Sequence, residues 1–345
     1  MPQPRTYAED EYWRKYLPFL PEVMQLRQDP VEEWWTWRGS QIHLDRLDAE
    51  EAPLKVIVLH GGGGTGRLVS VFGALVHSLG YSYVAPDLPG FGLTVPGSDY
   101  DPHYRSWVAL VTDMIEREQE RDGLPVVTFG GSLGGMLAYN AAASSGQVSG
   151  VIATTLADPR DPAARDALAH SKLWSRLGYL IMNALPSLTG RLNIPARRIS
   201  RMKWITNDPE FSRIFLEDPL VGEARINLEF YRSLMVYEPP IAPEDFDLCP
   251  LLLAHPADDN WTPLEVSRPF FDRLGCEKEL VMLEGCGHLP YEEPGVSQLR
   301  AAVDQFLCRV ARQCETKRHS REQPRPDLRS ACVKDTEADI QPSEI

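Results

Sequence analysis

A mostly parallel α/β sheet flanked by helices, with an all-helical insertion between two of its strands, is the fold predicted for this chain of 345 residues. Three observations carry that prediction. Short, unbroken apolar runs alternate with stretches long enough for helices. A long interval without a strand separates two groups of such runs. Ser132 stands between an apolar run and a helix-like stretch, among glycines.

Residues 7–28 carry Tyr12, Trp13, Tyr16, Leu17, Leu20, Val23 and Met24 at the spacing of one helical face. Pro18 and Pro21 break the pattern, so two short helical pieces are expected, with their aromatics packed on the core. Trp34–Trp37, the turn Arg38-Gly39-Ser40 and Ile42–Leu47 read as a hairpin. Four apolar runs follow: 56–59, 83–85, 126–129 and 151–154. Two more come after a gap, at 251–254 and 280–283. Continuous apolar strands separated by helices imply parallel pairing buried on both faces.

Residues 158–245 hold no convincing strand. Amphipathic stretches at 165–185, 210–216 and 222–236 predict a helical insertion. Most of its apolar residues are expected to pack against the core, and a minority to line a pocket. From Arg312 onward seven Lys/Arg and seven Asp/Glu are mixed with polar residues and prolines. Such a segment buries too little apolar surface to offset its ordering entropy, so disorder is expected. The expected organisation is an N-terminal helical segment (1–30), a core (31–157 and 246–311), the insertion (158–245) and a disordered tail (312–345).

The chain is 43% hydrophobic and 24% charged, with a net charge of −14. That acidic balance argues against nucleic acid or an anionic membrane as the main partner. No apolar stretch reaches the ~20 residues a membrane helix needs. Met1–Glu11 is polar and acidic, unlike a secretory signal, and a cytoplasmic location is expected. The six cysteines form no C-x-x-C pair, so neither a zinc site nor a redox motif is expected, and free thiols are.

Gly130-Gly131-Ser132-Leu133-Gly134 follows the run Val126–Phe129 and precedes the stretch Leu133–Ala143. Strand, sharp turn and helix are the context in which G-x-S-x-G presents a nucleophilic hydroxyl. A serine needs a base, and the base needs an orienting acid. His288, in Gly285-Cys286-Gly287-His288, follows the last apolar run and is the candidate base. His43, His77, His103, His170, His255 and His319 lack that context, and His60 is expected to shape a glycine loop. The acid should follow the preceding strand, in Ala257-Asp258-Asp259-Asn260-Trp261-Thr262-Pro263. Asp259 is favoured over Asp258, with Asp158 third. The order Ser, Asp, His matches one triad-bearing fold.

An oxyanion needs amide donors already in place. Leu133, the residue after the serine, supplies one. His60-Gly61-Gly62-Gly63-Gly64-Thr65-Gly66 supplies the other, with Gly62 preferred and Gly63 second. Gly63 and Trp261 are candidate pocket residues. The same glycine run fits a dinucleotide fingerprint, with Asp87 about 20 residues on as the acidic partner. Asp87 also belongs to Asp87-Leu88-Pro89-Gly90-Phe91-Gly92, a turn-rich strand exit, and the preceding hairpin is unusual for a dinucleotide site. Arg67-Leu68 stand where a P-loop needs Lys-Ser/Thr.

With these motifs in order, the chain resembles α/β-hydrolase-fold enzymes over about residues 32–310. The matching residues are His60-Gly61-Gly62, Asp87–Gly92, Gly130–Gly135, Asp259 with Pro263, and Gly287-His288. The resemblance implies a helical cap at 158–245 and relatives among esterases, lipases, thioesterases, carbon–carbon bond hydrolases and perhydrolases. Serine at 132 argues against the epoxide hydrolase and haloalkane dehalogenase branches. The expected function is cleavage of an ester or related acyl bond in an apolar or medium-sized small molecule, without metal or organic cofactor. A ligand-binding or sensing protein on the same scaffold, and a carbon–carbon bond hydrolase or lyase, stand as alternatives.

Overall fold

Each apolar run becomes a strand. In the computed structural model, which describes residues 5–10 and 12–322, the strands in chain order are β1 (Val31–Trp37), β2 (Ser40–Leu47), β3 (Lys55–Leu59), β4 (Ser82–Pro86), β5 (Val126–Gly130), β6 (Gly150–Ala153), β7 (Asn193–Pro195), β8 (Arg225–Asn227), β9 (Leu251–Pro256) and β10 (Lys278–Leu283). Eight of them form one sheet in the order β1-β2-β4-β3-β5-β6-β9-β10. The β1–β2 hairpin and the β2–β4 pair are antiparallel, and every other pairing is parallel. Strands β3 to β6 are buried along their whole length. Burial on both faces is why they read as continuous apolar runs. Helices Gly66–Ser78, Leu133–Ser145 and Gly295–Glu322 pack against the sheet.

One feature of the core has no signature in the sequence. The Glu118 carboxylate, wholly buried on helix Tyr104–Asp122, accepts from Arg46 Nη2 (2.7 Å), Arg46 Nη1 (2.8 Å) and Lys55 Nζ (2.9 Å). Lys55 also reaches Asp122 at 2.6 Å. The cluster fastens β2 and β3 to that helix.

Strands β6 and β9 are parallel neighbours in the sheet, so residues 158–245 leave from the end of β6 at one edge of the sheet and lead back to the opposite edge, where β9 begins. That segment is mostly helical, but β7 and β8 pair antiparallel within it, which corrects the all-helical expectation. Strands of three residues, one ending in Pro195, are too short to show a period of two. Some aromatics of the segment face the core as expected, including Phe211, Phe215 and Phe230. Helix Lys172–Ala184, by contrast, contains no buried residue.

The N-terminal segment forms three short pieces where two were expected, Tyr7–Asp10, Tyr12–Phe19 and Glu22–Met24; Pro21 separates the last two, and Pro18 lies inside the second. Trp13, Tyr16, Leu20 and Met24 are buried. Tyr16 donates to Asp218 Oδ2 at 2.6 Å and rests against Phe211. The segment thus joins the core to residues 209–218. At the other end the last helix runs to Glu322, past the point where disorder was expected to begin. Lys, Arg and Glu are good helix formers, and extending an existing helix needs no new nucleus. The remainder of the expected tail, with Cys332, lies outside the described residues. The five described cysteines are free, with Cys249 and Cys286 buried.

Candidate active site

Ser132 caps helix Leu133–Ser145 with φ 56° and ψ −129°, a conformation costly for any residue with a Cβ. The turn that holds it is too tight for side chains. A Cβ on Gly130 would strike the Gly134 carbonyl, and one on Gly134 would strike the Leu59 carbonyl. The Ser132 amide is secured by Thr154 Oγ1 at 3.1 Å. Because glycine relieves the backbone conflict and alanine does not, Ser132→Gly is expected to be more stable than Ser132→Ala by about 1–2 kcal/mol. Paired thermal melts would check this, and an equal or lower melting temperature for the glycine variant would contradict it.

The hydroxyl lies 2.7 Å from His288 Nε2. On the far side of the ring, His288 Nδ1 lies 2.8 Å from Asp259 Oδ2 and 3.0 Å from Thr262 Oγ1. Asp259 Oδ1 accepts from the amides of Trp261 and Thr262, both at 2.8 Å, and Oδ2 accepts from the Thr262 hydroxyl at 2.7 Å. Burial alone would favour the neutral acid. The neighbouring imidazole and these donors outweigh it and hold the Asp259 carboxyl well below the usual range. Among the candidate acids, Asp259 is the one brought to His288. Asp258 is exposed, and Asp158 pairs with Arg160 at 2.7 Å. Thr262 was not anticipated. The only hint was its place one turn beyond Asp259, beside Pro263.

The glycine loop lies against this turn. A Cβ on Gly61 would sit 2.8 Å from Ser132 Cβ and 3.1 Å from the Leu133 amide. Gly62 and Leu133 both border the cavity above Ser132. Neither amide has a hydrogen-bond acceptor among the described residues. Gly63 does not border the cavity, contrary to expectation. It turns away at φ 84°, where a Cβ would meet Met202 Cε at 2.6 Å. Trp261 borders the cavity and also packs on the imidazole of His288, ring centroids 4.5 Å apart.

His60 shapes the loop, as expected. Its Nδ1–H donates to the Gly61 carbonyl at 2.8 Å, and its Nε2 accepts from the Leu88 amide at 2.9 Å. Burial pushes its pKa down to about 4, so the ring is neutral. Asp87 fastens the loop from below. Its Oδ1 accepts from the Gly66 amide at 2.6 Å, and its Oδ2 accepts from Leu93 N at 2.7 Å and Tyr7 Oη at 2.9 Å. Both oxygens are thereby committed inside the protein, which leaves neither for the ribose contact of a dinucleotide site. Glu32, His43 and Asp45 could together hold a metal ion by proximity. Arg67 already supplies positive charge there, 2.9 Å from Asp45 Oδ1 and 3.3 Å from Glu32 Oε1. Burial opposes the charged form of His43, but Asp87 and Glu32 outweigh it and raise its pKa to about 10. The cluster is an internal ion network. His255 is also buried, and burial pushes its pKa down to about 4.

The cavity has a volume of about 810 Å³. Leu168, Trp174, Ile181, Met182, Leu228 and Met235 contribute its apolar wall, so most of the wall comes from residues 158–245. That segment also grips the histidine loop. Leu289 N donates to the Ile205 carbonyl at 2.8 Å, and a Cβ on Gly287 would sit 2.7 Å from Asn207 N.

The same region is similar to known proteins. A family model described as "Alpha/beta hydrolase family" matches residues 56–297. An uncharacterized abhydrolase domain-containing protein of Dictyostelium discoideum is 27% identical over 243 residues, 69% of this chain and 24% of that relative. This chain therefore spans about a quarter of that relative's length. Among solved structures, a soluble variant of monoglyceride lipase from Saccharomyces cerevisiae, in complex with a substrate analog, aligns with a TM-score of 0.67 at 18% identity, covering 84% of this chain and 98% of the other. The monoacylglycerol lipase of Paleococcus ferrophilus aligns with a TM-score of 0.60 at 22% identity, covering 78% of this chain and 99% of the other. At these identities the structural likeness is one of fold.

Proposed function

Since the chain belongs to the alpha/beta hydrolase family, we propose that it is a serine hydrolase that cleaves an ester or related acyl bond through an acyl-enzyme. The observation that carries this reading is the unbroken contact from Asp259 through His288 to Ser132, opening into an apolar cavity beside two amides that have no acceptor among the described residues. With Nδ1–H directed at Asp259, the His288 Nε2 lone pair accepts the Ser132 proton as Oγ attacks the acyl carbon. Asp259 stabilises the imidazolium that forms. The Leu133 and Gly62 amides receive the negative charge on the carbonyl oxygen, a role worth ~3 kcal/mol for each donor. His288 then protonates the leaving group. Water, deprotonated by the same nitrogen, releases the acid and regenerates Ser132. In this reading residues 158–245 are a cap that supplies the acyl pocket.

The decisive experiment is labelling of the purified protein with a fluorophosphonate probe, followed by a panel of esters, thioesters and lactones. Labelling at Ser132 with turnover of at least one acyl class is expected. A folded sample that neither labels nor turns over would refute the reading. Thr262 tests the positioning of the acid. Thr262→Val removes a hydrogen bond to the buried carboxylate and is expected to lower kcat about tenfold, with KM nearly unchanged. A rise in KM alone would place Thr262 in substrate binding instead.

A further inference from the structure

Eight of the thirteen large apolar side chains exposed among the described residues fall within residues 173–192. Leu173, Trp174, Leu177, Leu180 and Ile181 recur along helix Lys172–Ala184, and Leu185, Leu188 and Leu192 continue the patch beyond it. Leu173 is 74% exposed, Trp174 67% and Leu180 63%. A patch of this kind on a water-facing surface marks an interaction site. It is continuous with the proposed active site, because Trp174, Ile181 and Leu192 also border the cavity.

The charge around the patch says what covers it. Residues 167–207 contain Lys172, Arg176, Arg191, Arg197, Arg198, Arg201 and Lys203, and no Asp or Glu. In a chain of net charge −14 this is a local reversal of sign. Arg176 pairs with Asp166 and Arg197 with Glu223. The other five cations have no ion pair among the described residues. The acidic groups bordering this face, Asp166, Glu223 and Glu229, stand in ion-pair contact with Arg176, Arg197 and Arg232 respectively, so the charge left without a counter-ion there is cationic.

The geometry points to a docking face for an anionic lipid surface, formed by residues 172–203 around the cavity mouth. Exposed leucines and a tryptophan ringed by Lys and Arg are what an interfacial helix presents to lipid: apolar side chains enter the acyl boundary while cations meet the headgroups. Docked in this way, the cavity opens onto the membrane, and an amphiphile can enter it without crossing water. The acidic average of the whole chain, which argues against an anionic membrane, does not describe this face.

Flotation of the full chain with phosphatidylcholine vesicles, with and without about 30 mol% phosphatidylserine, tests the proposal. Binding to the phosphatidylserine vesicles that weakens as salt rises is expected. Leu173→Ser/Leu180→Ser/Leu188→Ser should abolish it while leaving hydrolysis of a short soluble ester unchanged, because none of the three borders the cavity. Lys172→Glu/Arg191→Glu should lower it by ~tenfold or more through charge alone. Three results would overturn the proposal: no flotation of the wild-type chain with either vesicle, flotation unaltered in the triple-serine variant, or sedimentation as a dimer without flotation. The last would assign the face to a second copy of the chain. Flotation is read independently of turnover, so a protein that floats but does not hydrolyse would refute the proposed chemistry and leave the docking face standing.

Discussion

Ser132→Ala is expected to reduce kcat/KM on any responsive ester by roughly 10⁴–10⁶-fold. The size follows from the contacts. Once the hydroxyl is gone, His288 has no proton to accept and Asp259 no imidazolium to stabilise, so three groups are silenced by one change. The two amides and the cavity remain and can still bind substrate, which is why activity should fall to a residue and not to zero. KM should change little, because the hydroxyl is a small part of a cavity of about 810 Å³. The measurement is turnover and fluorophosphonate labelling of a variant shown to fold by circular dichroism. Retention of more than about a tenth of wild-type turnover would remove Ser132 from the mechanism and, with it, the reading built on the residues around it.

The largest effect on stability should come from Glu118, far from the chemistry. Glu118→Ala leaves Arg46 and Lys55 buried, with their shared carboxylate gone. Breaking a buried pair by deleting one partner costs about 3–5 kcal/mol. Urea denaturation should therefore show a midpoint well below that of the wild type. A shift under ~1 kcal/mol would mean that water or Asp122 replaces the lost carboxylate. The same cluster sets a pH dependence. Burial favours the neutral acid, but Arg46 and Lys55 prevail and lower the Glu118 pKa from 4.5 to about 2. A carboxyl depressed in the folded state contributes stability that is present above its unfolded pKa. That contribution is lost as pH falls from about 4.5 toward 2. The Ala variant should consequently show a shallower loss of stability over that interval than the wild type.

The centre of the sheet was legible because its strands are buried on both faces. Unbroken runs such as Val56–Leu59 and Val126–Phe129 need no context to be read. Ser132 and His288 were legible because tight turns demand glycine on either side, and glycine leaves a mark in one-letter code. Asp259 was distinguishable from Asp258 only weakly, since the choice depends on which carboxylate the turn directs inward. Thr262 was missed because a threonine beside a proline has many reasons to exist. Gly63 was misplaced because a glycine run does not say which member faces the ligand. β7 and β8 were too short to carry a pattern, and the extension of the last helix past Arg312 comes from propagation, which composition does not record. The Glu118 cluster unites residues 46, 55 and 118, whose proximity exists only in the folded chain.

Because β6 and β9 are adjacent and parallel, the excursion between them leaves at the carboxyl edge of the sheet and re-enters one strand over at the opposite edge, as a crossover must. A replacement that spans the same crossover can be exchanged for it without disturbing the register of the sheet beneath. In the proposed function, selectivity and bond-breaking would then be separable, with residues 158–245 held to the rest by stitches such as Leu289 with Ile205 and Tyr16 with Asp218. A chimaera that transplants residues 158–245 from a relative would need to bring matching stitches, and a graft that did so would inherit the donor's taste in acyl chains while keeping the recipient's catalytic groups.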